Sequence, residues 1–113
     1  MPPPDWQLRI SDILTAIAKI QRYTQGFDLA GFSADEMAVD AVLRNFAVIG
    51  EAASRIPAEV CERYPNVPWA RLRAIRSIAV HEYLGVDLRI VWDTIQADLP
   101  RLANQLERVR EAD

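Results

Sequence analysis

Apolar positions along the chain recur at steps of three and four, and no segment shows the period-two alternation of a half-buried strand. Trp6, Ile10, Ile13, Ile17 and Ile20 place one apolar stripe on a helix predicted from about Asp5 to Thr24, with Gly26 as its stop. The tetrapeptide SADE then reads as a capping box, Ser33 as N-cap and Glu36 reaching back. The helix it opens carries Val39, Val42, Phe46, Ile49, Ala53 and Ile56, and Pro57 ends it. Beside that stripe, Ala47, Gly50 and Ser54 are small enough to admit a neighbouring helix closely.

The segment PAEVCERYP predicts a short helical turn or two between its prolines. Pro68 suits the first position of a third long helix, running through Trp69, Leu72, Ile75 and Ala79 to about Tyr83. Gly85 breaks it, and Asp87 can cap a fourth helix, LRIVWDTIQADL. Pro100 either kinks that helix or restarts it toward Leu102, Leu106 and Val109. Short connections favour antiparallel neighbours. The expected fold is all-α, an up-and-down bundle of four to five helices in a single domain over residues 1–113.

Composition narrows the function. A chain of 113 residues holds one core, and dimerisation would add to its stability. A net charge of −3 and a pI near 5.1 argue against non-specific coating of nucleic acid, though not against a local basic cleft. Of thirteen basic residues only Lys19 is a lysine, and arginine suits fixed contacts to phosphate or carboxylate. With Cys61 and His81 each alone of their kind, neither an internal disulfide nor a Cys/His zinc site is expected. No signal peptide and no apolar run near the ~20 residues of a membrane span is visible, so a soluble cytoplasmic protein without membrane contact is expected.

The stretch AIRSIAVHEYLGVD (Ala74–Asp87) holds the candidate chemistry. At ~100° per residue, Arg76 falls within ~60° of Trp69, Leu72, Ala79, Val80 and Tyr83, inside the apolar stripe. A guanidinium there requires a carboxylate, a ligand or a wet cleft. Glu51 on the preceding long helix is a natural partner for a buried ion pair. His81 lies ~140° round from Arg76, and the two converge only if the helix ends near His81 or a second copy faces the first. Taken singly, a histidine near a helix C-terminus serves as a dipole or capping group, and a tyrosine before a glycine as packing.

Together Arg76, His81 and Tyr83 spell R-x4-H-x-Y, which resembles the motif of the HepT-like RNase toxins of the HEPN superfamily. AVLRNFAVIGEAASRIP (Ala41–Pro57) resembles that family's second helix with its Gly-Glu-Ala signature. PWARLRAIRSIAVHEYLGVD (Pro68–Asp87) resembles its motif helix, and VWDTIQADLPRL (Val91–Leu102) its closing segment. One position departs: the residue after the motif arginine, commonly Asn or Asp in the family, is Ser77, which keeps a hydroxyl and loses the second functional group.

The resemblance implies a HEPN-like bundle that works as a metal-independent endoribonuclease without a cofactor. It also implies pairing with a nucleotidyltransferase antitoxin of the minimal (MNT) type, and a homodimer with two motif copies facing one cleft. Arg76 would then hold the scissile phosphate, and His81 would take a proton from the ribose 2′-OH or give one to the leaving 5′-oxygen. The antitoxin would transfer AMP to Tyr83 and block the cleft. Ser77, Glu51 and Arg73 are the supporting residues on this reading. Arg71, Arg73 and Arg76, duplicated in a dimer, would give a local positive patch, with a solvated face as the alternative for Arg71 and Arg73, and Glu82 orients His81, pairs with an arginine or faces solvent. Two other readings compete: a non-catalytic helical dimer that docks with, or binds nucleotide for, a separate nucleotidyltransferase, and a purely structural bundle with a buried Arg76–Glu51 pair.

Overall fold

A computed structural model describes residues 4–83 and 87–112, with the backbone alone described for 80–83. The described residues are helical, without a strand: α1 (Asp5–Tyr23), α2 (Leu29–Ala34), α3 (Glu36–Ser54), α4 (Ala58–Arg63), α5 (Trp69–Tyr83), α6 (Leu88–Asp93), a π-helical turn (Thr94–Asp98) and α7 (Leu99–Ala112). The long helices α1, α3, α5 and α7 form the all-α bundle that the periodicity predicts; the expected break at Gly85 lies outside the described residues.

Helix α3 is central and packs on α5 at one flank and α1 at the other, while α7 covers α1. Ile10, Ile13, Ile17 and Ile20 of α1 are fully or almost fully buried, as are Val42, Phe46 and Ile49 of α3 and Leu72 and Ile75 of α5. Each stripe therefore faces the shared core, and its burial drives the helices together. Helix α1 ends where the Thr24 hydroxyl donates to the Ile20 carbonyl at 2.8 Å, and Gly26 then takes φ +85°, open to glycine at little cost. The N-terminal part of α1 meets the C-terminal part of α3 around Arg9 and Glu51, so the two run antiparallel.

Three local features differ from expectation. Ser33 is not a helix cap but an exposed residue within α2, a short helix that the sequence reading passed over. Asp35 caps α3 instead, its Oδ1 accepting the Ala38 N–H at 3.0 Å. The reason is Phe32: fully buried against Trp92 with ring centroids 5.3 Å apart, it draws residues 29–34 into a helical turn of their own. At Pro100, where a kink or a restart is expected, the chain carries a π turn and then α7, which begins at Leu99. The π turn just before it widens the ladder where the proline ring would press on the Gln96 carbonyl, and helical structure runs on to Ala112.

Of the described glycines, Gly50 sits in the tightest surroundings. A Cβ there would lie 2.4 Å from Arg76 Cβ, 2.9 Å from the Arg76 nitrogen and 3.1 Å from the Arg73 carbonyl oxygen. Ala47 lines the α1 side, and Ser54 is exposed with its hydroxyl donating to the Glu51 carbonyl. Gly50→Ala therefore has to push α5 away from α3. Overpacking of ~1–3 kcal/mol outweighs the gain of up to ~1 kcal/mol in helix propensity, because two of the obstructing atoms are backbone. Urea unfolding is expected to show a net loss of ~1–2 kcal/mol. The capping assignment gives a second expectation: Asp35→Ala lowers stability by about 1 kcal/mol and Ser33→Ala by under about 0.5 kcal/mol in the same assay.

Candidate functional site

The contact at Gly50 explains how an arginine can occupy an apolar stripe. The Arg76 Cβ rests against the α3 backbone, while its guanidinium leaves the core and reaches Glu51 Oε1 at 2.8 Å. The two side chains remain 57% and 48% exposed. The helix wheel is right about where the side chain begins and wrong about where its charge ends, since a long side chain lays its stem on apolar surface and keeps its head in water. The ion pair with Glu51 forms as expected, but it is half-exposed and not buried.

The neighbouring basic residues divide. Arg71 turns away from the motif and donates to Asp98 of the π turn from Nε at 3.1 Å and from Nη2, so it ties α5 to the closing helix and leaves the expected patch. Arg73, one turn before Arg76, is exposed and makes no ion pair among the described residues. Ser77 is likewise exposed and makes no hydrogen bond among them. Here nothing ties its hydroxyl to Arg76.

His81 and Tyr83 occupy the last turn of α5; their side chains, with that of Glu82, lie outside the described residues. The helix does not end at His81 but continues to Tyr83. The helical register therefore holds, setting positions 76 and 81 ~140° apart around the axis and ~7.5 Å apart along it. Within one chain α5 does not bring those two positions onto one face.

On the far side of Glu51, α1 and α3 enclose a cleft of about 390 Å³ that sequence reasoning missed. Arg9, Asp12, Arg44, Val48, Glu51 and Arg55 contribute to its walls. Arg9 is held by Asp5 at 3.6 Å and Asp12 at 3.4 Å. Arg44 and Arg55 are exposed and make no ion pair among the described residues. The signal was present in the spacing 44–48–51–55, a single face of α3, but a polar outer face looks like ordinary solvated surface until α1 is placed beside it. Among the described residues, no three His, Cys, Asp or Glu side chains gather as a metal would require. None of the described helices is long and apolar enough to cross a membrane.

Comparison with known proteins gives the family of the chain. The family model described as "Ribonuclease HepT-like" matches residues 13–109. A Thermococcus cleftensis protein named "Probable ribonuclease HepT" is 33% identical over 102 residues, covering 90% of this chain and 93% of that one. A Methanocaldococcus jannaschii protein named "Putative RNase MJ0125" is 33% identical over 109 residues, covering 96% and 94%. No solved structure matches the chain significantly. The match spans α3, α5 and nearly all of α7, including Gly50, Glu51 and the R-x4-H-x-Y segment, and the chain belongs to the HepT-like ribonuclease family.

Proposed function

We propose that the protein is a metal-independent endoribonuclease that acts as a homodimer and is the toxin of a toxin–antitoxin pair. The observation that carries this reading is the half-exposed Arg76–Glu51 pair. It holds a permanent cation in reach of solvent, anchored at its base by the Gly50 contact and positioned by a carboxylate that a phosphate can replace.

In the proposed reaction the ribose 2′-oxygen attacks the adjacent phosphorus and the 5′-oxygen leaves, producing a 2′,3′-cyclic phosphate and a free 5′-hydroxyl. Arg76 binds the non-bridging oxygens and stabilises the charge that builds on them. One proton must leave the 2′-OH and one must reach the 5′-oxygen, and a histidine with an intrinsic pKa of about 6.5 suits either task. One imidazole per chain cannot perform both in the same instant. A two-fold dimer supplies two, and it brings a second chain's position 81 toward Arg76, which the register of α5 in one chain does not.

Silencing follows from the same site. An MNT-type nucleotidyltransferase would join the Tyr83 phenolic oxygen to the α-phosphorus of ATP, the phenolic proton departing and pyrophosphate leaving. The resulting phosphodiester, held seven residues along α5 from Arg76, competes with RNA for the guanidinium. The purely structural reading loses support, because the Arg76–Glu51 pair is not buried.

Two measurements test this. Purified wild-type protein, free of tyrosine modification, should cut RNA in EDTA and leave 2′,3′-cyclic ends. Arg76→Ala should reduce cleavage ~10²–10³-fold and His81→Ala ~10²–10⁴-fold. A wild type that cuts nothing, or that cuts only with added metal, would overturn the proposal; a His81→Ala variant that still binds RNA while losing cleavage separates catalysis from mere docking. In urea unfolding, Arg76→Ala should cost less than about 1 kcal/mol, as befits a solvent-screened pair. A loss of ~3–5 kcal/mol would instead mark a structural buried charge.

A further inference from the structure

We infer that the α1–α3 cleft is a second anion subsite, in which Arg44 and Arg55 hold backbone phosphates of the RNA beside the one bound at Arg76. This rests on the ribonuclease reading and extends it from the scissile phosphate to the track of the substrate.

Position is the first argument. Residues 44, 48, 51 and 55 are spaced by four, three and four, so Arg44 and Arg55 lie on the same face of α3 as Glu51, one on each side. Eleven residues of helix set them ~16 Å apart along the axis, with the Glu51–Arg76 pair between. The cleft opens directly onto that pair, since Glu51 forms part of its wall.

Uncommitted charge is the second. Arg71 is matched with Asp98, Arg110 with Glu107 and Arg9 with Asp5 and Asp12, whereas Arg44 and Arg55, like Arg22, Arg89, Arg101 and Arg108 at scattered positions, make no ion pair among the described residues. On α3, Asp40 lies four residues before Arg44 but makes no ion pair with it among the described residues, and Glu51, four residues before Arg55, is already engaged by Arg76. Arg44, Arg55 and Arg73 thus present unpaired guanidinium groups, among the described residues, around one ion pair on a chain whose net charge is −3. An acidic chain that gathers free arginines in one place has a local attraction for anions that its overall charge would oppose.

Chemistry is the third. Planar guanidinium groups make paired hydrogen bonds to phosphate oxygens, and a row of them follows a phosphodiester backbone without reading bases. The lining offers no aromatic face on which a base could stack. Backbone tracking is therefore the function this wall supports, and the affinity it adds should be independent of sequence.

The test is binding of 2′-O-methyl oligonucleotides, one poly(U) and one poly(A), which cannot be cleaved through a 2′-oxyanion. Arg44→Gln and Arg55→Gln should each weaken binding roughly three- to tenfold at fixed salt, equally for both oligonucleotides. Each should also lower the slope of log affinity against log salt by about 0.7, and the double variant by about 1.4. Arg101→Gln on α7, outside the cleft, should change neither. Unchanged affinity and slope in the cleft variants would overturn the inference, as would a loss confined to one base sequence. So would a shift from dimer to monomer in sedimentation, which would make the cleft an interface between copies. Because the probe is uncleavable, the two readings fail separately. A protein that binds as expected but cuts no RNA loses the ribonuclease reading and keeps the subsite. One that cuts RNA yet ignores both substitutions loses only the subsite, and one that binds no RNA loses both.

Discussion

The backbone contact between α3 and α5 at Gly50 governs the site. Only a residue without a Cβ lets the Arg76 nitrogen and Cβ come within the distances seen, and that closeness fixes both the separation and the register of the two helices. Register is what matters for chemistry. It puts Arg76 next to Gly50, and hence its guanidinium next to Glu51, one residue further along α3. A helix pair spaced by ordinary side chains at this crossing would hold Arg76 farther from α3 and leave its charge free to wander. Val42, Phe46 and Ile49 of α3 and Leu72 and Ile75 of α5, buried in the shared core, help to hold the two helices together.

The bundle was largely legible because helix periodicity is a strong signal and the four long stripes are almost uninterrupted. Its local errors arose where two plausible signals overlapped. Ser33 and Asp35 both can cap, and only the burial of Phe32 beside Trp92 decides between them, a contact between segments sixty residues apart. Pro100 posed the opposite problem. A proline in a helical pattern demands some adjustment, but whether the chain kinks, restarts or inserts a π turn depends on packing that no local pattern records.

At the site, sequence named Glu51 as a partner for Arg76 and left open whether the charge is buried or lies in a wet cleft; the pair is half-exposed. A helix wheel assigns a direction to a Cβ, and a side chain as long as arginine can leave that direction entirely. Arg71 shows the same limit: its neighbours in sequence suggest a basic patch, whereas its contact with Asp98 is made across a separation of twenty-seven residues. Arg44 and Arg55 were invisible for a different reason. A charged outer face on α3 is what any surface helix presents, and it becomes a cleft only when α1 is laid alongside.

The exposure of the Arg76–Glu51 pair also decides what it can do. Were the two charges buried, separating them would cost several kcal/mol, and an incoming phosphate would have to overcome that before gaining anything. At half exposure the pair contributes at most about 1 kcal/mol, so a phosphate that forms two charge-assisted hydrogen bonds can displace the carboxylate at little cost. On the proposed reading, Glu51 keeps the guanidinium oriented when no substrate is present without holding it shut. The same logic accounts for the cleft beyond Glu51 on the proposed reading. Phosphates engaged at Arg44 and Arg55 raise the local concentration of the next phosphate at Arg76, and the exchange from carboxylate to substrate becomes an intramolecular step.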